Sequence, residues 1–295
     1  MYFPVADLTI NPLIPPLVAF AISFFTSTGG VSGAFLLLPF QVSVLGFTSP
    51  AVSATNQLYN VVAIPGGVFQ YFREGRMVWP LTWVVVAGTL PGVLLGALLR
   101  IRYLPDPRNF KFFVGLVLLY LGARVLADVL GRRSGGRVGG GDAVTTVRVE
   151  AFNLRRVAYV FGGERFVVGT PALAGLSLVV GVVGGVYGIG GGAIIAPVLV
   201  AVWRLPVYTI AGATLMGTYV TSVSAVVFYS LLASRHPELA VRPDWLLGLL
   251  FGLGGFAGIY CGARLQKRFP AKVIKWILAG CILFVAIRYI TGFFS

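Results

Sequence analysis

Thr28-Gly29-Gly30-Val31-Ser32-Gly33-Ala34-Phe35-Leu36-Leu37-Leu38-Pro39 has a counterpart in the second half of the chain, Val186-Tyr187-Gly188-Ile189-Gly190-Gly191-Gly192-Ala193-Ile194-Ile195-Ala196-Pro197. At an offset of 158 Gly30 and Gly33 fall on Gly188 and Gly191, and the aliphatic run and the closing proline fall in register. Each copy interrupts an apolar stretch long enough to enter a bilayer. Irregular backbone survives at membrane depth only when protein buries it or when it lines a wet cavity. A matched pair of such interruptions is the sequence mark of a transporter's substrate site.

Composition agrees with a membrane setting. Of 295 residues, 57% are hydrophobic and 11% charged, with mean hydropathy +0.90. A soluble domain carries about 25% charged residues. The net charge of +14 sits in short loops between apolar segments. There, Lys and Arg report orientation against a membrane rather than a nucleic-acid surface, so no nucleic-acid partner is expected. Cys261 and Cys281 lie inside apolar runs, and His236 is the only histidine. No metal spacing, cofactor motif or His-based catalytic set is present, and an enzyme is not expected. The first basic residue is Arg73, so the positive flank of a cleavable signal is missing and the first apolar segment is expected to stay.

Residues 12–46 form one apolar stretch broken at 29–33. As a straight helix, 35 residues would reach about 52 Å, against a hydrocarbon core of about 30 Å. Two shorter helices meeting at the glycines fit better. Residues 49–72, 78–101 and 108–130 read as ordinary spans. The second half repeats the plan, with a broken stretch over 171–204 and spans over 206–232, 244–265 and 271–293. Gly88, Gly92 and Gly96 match Gly254, Gly258 and Gly262. Their spacing of four makes a narrow face on which helices approach closely.

The expected fold is therefore an all-α polytopic membrane protein of two inverted repeats. Each repeat is a glycine-broken re-entrant helical hairpin plus three transmembrane helices. Residues 1–130 form the first membrane repeat and 170–295 the second. Between them, 131–169 reads as a Gly/Arg-rich linker with short β-strands, a small β-hairpin insert on the solvent side. Candidate strands run over 144–152, 155–161 and 164–168, with Gly162-Gly163 as the turn between the last two.

Charge counting supports the inversion. If each broken stretch folds back to the side it came from, 16 of the 23 Lys and Arg lie with the linker; if each crosses once, only 13 do. The positive-inside rule favours the first arrangement. It places the linker in the cytoplasm and both termini outside the cell membrane, with Arg100–Lys111 as a basic outer loop.

Helix starts at Ala34 and Ala193 would aim free N–H groups and the positive ends of two helix dipoles at mid-membrane, an arrangement that favours an anion. The alternative is that the glycines only permit a tight crossover. Thr55, Asn56, Gln57 and Asn60 cluster after the first break, and Thr214, Thr218, Thr221 and Ser222 after the second. Amides and hydroxyls bind oxyanions without a fixed charge, or they serve helix packing and their own backbone. Acidic residues are nearly absent from span interiors, and Asp128 reads as paired with Arg124 one turn away. The candidate substrate-binding set is Gly29, Gly30, Ser32, Gly33, Thr55, Asn56 and Asn60 with Gly188, Gly190, Gly191, Gly192, Thr214 and Thr218.

This pattern resembles the sulfite exporter TauE/SafE family. The resemblance rests on Gly29-Gly30-Val31-Ser32-Gly33 and Gly188-Ile189-Gly190-Gly191-Gly192. Each is followed by an aliphatic run, a proline (Pro39, Pro197) and an Ala-Thr pair (Ala54-Thr55, Ala213-Thr214). The first copy departs from the glycine-rich pattern at Ser32 and Ala34. The resemblance covers nearly the whole chain. It implies a secondary transporter of small sulfur-containing anions: sulfite, sulfoacetate or other organosulfonates. A passive anion channel of the same architecture is the alternative, and a membrane enzyme or sulfur-carrier partner acting through Cys261 or Cys281 is a third reading. The partners expected are the small anionic substrate and the lipid bilayer; a homo-oligomer is left open.

Overall fold

A computed structural model describes residues 1–28, 32–75, 77–130, 147–265 and 271–294. The chain opens with a two-residue strand pair, β1 (Tyr2–Phe3) and β2 (Leu8–Thr9). The first broken stretch forms α1 (Ile14–Thr28) and α2 (Ala34–Ser43). Then follow α3 (Ala51–Ala63), α4 (Pro65–Arg73), α5 (Trp79–Arg102) and α6 (Pro107–Leu130). Strands β3 (Arg148–Phe152), β4 (Arg156–Phe161) and β5 (Glu164–Gly169) make an antiparallel sheet in that order. The second broken stretch forms α7 (Thr170–Tyr187) and α8 (Gly192–Trp203). The chain continues through α9 (Val207–Ala233), α10 (Trp245–Leu265) and α11 (Ala271–Phe294).

Among the described residues, six helices are long and apolar enough to cross a membrane: α5, α6, α7, α9, α10 and α11. Helices α1 and α2 are apolar but shorter. The stretch 49–72, expected as one span, is two helices. Pro65 has no N–H to give the Val61 carbonyl and starts a new helix. Its counterpart α9 runs 27 residues without a break.

Glycine stripes set which helices touch. Gly88 lies against Ala174 and Ser177, Gly92 against Leu178 and Gly181, and Gly96 against Val182 and Gly185. Thus α5 and α7 run parallel, backbone to backbone. Gly254 meets Pro16 and Gly258 meets Phe20 and Ser23, so α10 and α1 are also parallel. Each half lends its glycine stripe to the other half's first helix. Gly248 beside Leu58 and Gly252 beside Val62 make α3 parallel to α10 as well. By contrast, Gly115 meets Tyr289 and Ile290 while Gly122 meets Ile282 and Leu283, so α6 and α11 are antiparallel. The Gln57–Ser222 bond and the approach of Gly67 to Leu215 make α3 and α4 antiparallel to α9.

The insert is a sheet of three short strands whose β4–β5 hairpin turns at Gly162-Gly163, with β3 starting at Arg148. Residues 131–146, including the predicted start of the first strand at 144, lie outside the described residues. The sheet is docked as well as solvent-facing. Val157, Tyr159, Phe161 and Val168 are buried. The Tyr159 hydroxyl sits 2.8 Å from Thr209 Oγ1, and Phe161 stacks on Tyr208 with ring centroids 5.0 Å apart. Burial pushes the Tyr159 phenol up to about 12. The alternation of Val, Tyr and Phe that suggests strands also supplies the apolar face that seats the sheet on the start of α9.

Arg100, read from sequence as part of a solvated outer loop, is fully buried in the last turn of α5. Its guanidinium donates to the Leu104 and Thr48 carbonyls and lies 3.7 Å from the centroid of the Phe110 ring. A planar multi-donor cation satisfies two chain-reversal carbonyls at once. Asp244, also buried, caps α10. Its carboxylate accepts from Leu247 N at 3.1 Å and from Val5 N and Ala6 N at 3.2 and 3.3 Å, tying the N-terminal segment down. Arg124 donates to the Pro197 carbonyl at 2.9 Å; the Asp128 side chain predicted to pair with it lies outside the described residues.

Candidate functional site

The second break turns on two left-handed glycines. Gly188 closes α7 in the left-handed conformation (φ 86°), its N–H bonded to the Gly184 carbonyl at 2.8 Å. Gly190 is left-handed too (φ 68°). An L-residue resists this geometry, and a Cβ at Gly188 would sit 2.5 Å from the Ser53 carbonyl oxygen. Gly191 is the N-cap of α8, which begins at Gly192, one residue earlier than expected. In the first break Gly33 caps α2 with ordinary right-handed angles. Gly29 and Gly30 lie outside the described residues.

Asn56 on α3 joins the two breaks. Its Nδ2 donates to the Ala34 carbonyl at the start of α2 and to the Gly188 carbonyl at the end of α7, both at 2.9 Å. Its Oδ1 accepts from Gln41 Nε2 at 3.1 Å. One turn on, Asn60 Oδ1 accepts from Ser32 Oγ at 2.9 Å. The Asn60 Nδ2 group is fully buried and has no partner among the described residues. The two asparagines share a helix face as their spacing requires; Asn56 bridges both breaks and Asn60 serves the first.

The second half presents a matching arrangement in hydroxyls. Thr218 Oγ1 accepts from the Gly192 N–H at 2.8 Å, capping the start of α8, while donating to the Thr214 carbonyl at 3.0 Å. Thr214 turns to its own helix, bonding the Ile210 carbonyl at 3.0 Å, so it serves backbone rather than the break. Thr55 leaves the cluster as well, accepting from the Asp244 N–H at 2.9 Å. Of the predicted set, Ser32, Asn56, Asn60, Gly188, Gly192 and Thr218 are thus linked directly to the break segments by hydrogen bonds. Gly33, Gly190 and Gly191 shape the backbone there.

Several residues outside the predicted set complete the site. Gln57 donates to the Gly184 carbonyl at 3.1 Å and accepts from Ser222 Oγ at 2.7 Å. Ser53 Oγ donates to the Val186 carbonyl at 2.9 Å. Pro39, inside α2, cannot bond the Phe35 carbonyl, and the Tyr187 hydroxyl of the second break supplies that bond at 2.8 Å. Gln41 is the one amide in an otherwise apolar helix, which is the sequence signal for it. Nothing local marks Tyr187, because its partner is a carbonyl 152 residues away.

All these side chains are buried, and none of them is a carboxylate, Lys or Arg. Two short helices start here, α2 and α8, each carrying partial positive charge at that end. Among the described residues no group of three or more His, Cys, Asp or Glu could hold a metal ion. The arrangement offers amide and hydroxyl donors and two helix starts, the chemistry of a neutral oxyanion site.

The family model described as "Sulfite exporter TauE/SafE" matches residues 16–289. The chain belongs to this family. A relative from Xylella fastidiosa (strain 9a5c), named "Probable membrane transporter protein", is 25% identical over 258 residues, covering 87% of this chain and 84% of the relative. "Probable membrane transporter protein YunE" from Bacillus subtilis is 25% identical over 136 residues, covering 45% of this chain and 47% of its own length. No solved structure matches the chain significantly. With six membrane-capable helices, this TauE/SafE member is a multi-pass membrane transporter.

Proposed function

We propose that the protein is a secondary transporter that moves small sulfur-containing anions (sulfite, sulfoacetate or other organosulfonates) across the cytoplasmic membrane by alternating access. The observation that carries this reading is the Asn56 side chain, bonded at once to the first and the second break. Beside it, the unpartnered Asn60 amide, next to Ser32, is a buried donor for an oxyanion. Sulfite or a sulfonate group would accept from that amide and from first-turn N–H groups of α2 and α8 other than the Gly192 N–H, which Thr218 caps. No catalytic step is assigned.

The transport unit in this reading is a pair of inverted repeats, 1–130 and 170–295, with 131–169 as a cytoplasmic insert. The equivalent pairs α6 with α11, and α3–α4 with α9, are antiparallel, as inversion requires. Helices α1 and α3 both run parallel to α10, so α2 between them returns to the side from which α1 came. Helices α7 and α9 both run parallel to α5, with Gly217 beside Val85 and, further along both, Ala225 and Tyr229 clustered with Val93 and Ala97, so α8 returns likewise. Each broken stretch is then a re-entrant hairpin, the two entering from opposite faces. The lysine and arginine count places the linker inside and both termini outside.

The test is uptake of radiolabelled sulfite and sulfoacetate by proteoliposomes, with and without unlabelled anion preloaded inside. Saturable flux that rises with preloading supports alternating access. Flux without such trans-stimulation indicates the channel alternative, and no flux above empty vesicles for any sulfur oxyanion refutes the substrate class. Replacing Cys261 and Cys281 together by Ala leaves flux intact in this reading.

A further inference from the structure

A second cluster of anion-seeking groups lies away from the breaks. Where α2 ends, α6 begins and α11 ends, a cavity of about 410 Å³ is lined by Ser43, Arg108, Lys111, Arg288 and Tyr289, with Phe293 at its side. Three cations face one cavity, and among the described residues no carboxylate lines it or pairs with Lys111 or Arg288. The nearest acid by sequence, Asp106, is committed elsewhere. Its Oδ1 caps α6 by accepting from the Arg108 and Asn109 N–H groups at 2.8 and 3.0 Å. Arg108 is held in place, its Nε donating to the Phe293 carbonyl at 3.1 Å and its plane lying over the Phe293 ring.

The floor of the cavity is polar. The Tyr289 hydroxyl lies 2.5 Å from Ser43 Oγ and donates to the Pro39 carbonyl at 3.4 Å. The cavity therefore rests on the end of α2, whose start at Ala34 joins the central site about 14 Å away along the helix. Converging cations with no carboxylate beside them among the described residues, two hydroxyls, and a position at the ends of membrane helices together define a recognisable chemistry.

We infer that Arg108, Lys111 and Arg288 form a peripheral oxyanion station at this end of the bundle. It recognises a sulfate- or phosphate-like group, carried either by a free anion or by an anionic lipid headgroup. Among the described residues, the three cations of the station bond to neither break.

The purified full chain in neutral detergent is titrated separately with sodium sulfate, short-chain phosphatidylglycerol and short-chain phosphatidylcholine, with the thermal midpoint followed. The K111Q/R288Q variant keeps Arg108 and its contact with Phe293. A charge-keeping K111R/R288K variant controls for folding. At about fivefold per cation near a membrane surface, K111Q/R288Q needs on the order of 30-fold more ligand, and K111R/R288K behaves as wild type. Sulfate response identifies a free-anion station, and phosphatidylglycerol response alone identifies a headgroup site. The inference is overturned if neither ligand shifts the wild type, or if K111Q/R288Q titrates as wild type does. Flux tests the central site and binding tests the station, so either can fail alone.

Discussion

Replacing Asn56 by Leu keeps the side-chain volume near native while removing all three of its hydrogen bonds. The Gly188 carbonyl and the Gln41 amide lose their partners in a fully buried setting, while the Ala34 carbonyl keeps only its bond within α2. Each orphaned buried group costs about 1–3 kcal/mol. The variant should lose about 2–6 kcal/mol. The measurement is reversible SDS unfolding of the purified protein, followed by tryptophan fluorescence, beside sulfite flux in proteoliposomes. A double-mutant cycle with Gln41→Leu isolates one of the bonds. Gln41→Leu alone strands Asn56 Oδ1, but with Asn56 already gone it strands nothing further. The double variant should therefore cost at least about 1 kcal/mol less than the sum of the singles. An Asn56→Leu protein within about 1 kcal/mol of wild type, still transporting at the normal rate, would refute the bridging role.

Tyr187→Phe leaves the Phe35 carbonyl without the bond that Pro39 cannot make, so it should cost about 1–3 kcal/mol in the same unfolding assay; no loss would mean that the carbonyl finds another donor. Gly188→Ala places a Cβ 2.5 Å from Ser53 O at φ 86°. Left-handed strain of about 1–2 kcal/mol and overpacking of about 1–3 kcal/mol add there, and wild-type thermal stability would show that the loop yields. Thr209→Val removes the Tyr159 partner on α9 and should speed protease cleavage within the insert while sparing the membrane helices. Burial raises the Tyr159 phenol to about 12 in the folded protein, from about 10 unfolded. Its contribution to docking is thus complete below about pH 10 and is lost as the pH rises through 12, which amide exchange of β4 would report.

The glycine breaks show how local and distant information divide. Helix ends near 28 and starts near 34 are readable in sequence because 35 apolar residues overfill a bilayer and glycine supplies the turn. Asn56 and Asn60 are readable as a shared face because helix periodicity is local. The division of 49–72 is hinted only by Pro65, which hydropathy averages away. Arg100 counts as a loop charge in any window, yet it is buried because two chain-reversal carbonyls and the Phe110 ring converge on it.

By itself, the sequence determined that this chain is a duplicated, glycine-broken helical membrane protein whose polar residues gather after each break. Transfer of apolar segments from water depends on composition and length alone, so hydropathy suffices for that. Only the tertiary structure decided which polar groups meet. Asn56 spans two breaks 154 residues apart, from Ala34 to Gly188, Tyr187 replaces a donor that Pro39 lacks, and Thr55 is drawn off to cap with Asp244. A buried hydrogen bond must be satisfied wherever backbones come within reach. Here that reach was set by glycine stripes that pack α7 against α5 and α1 against α10.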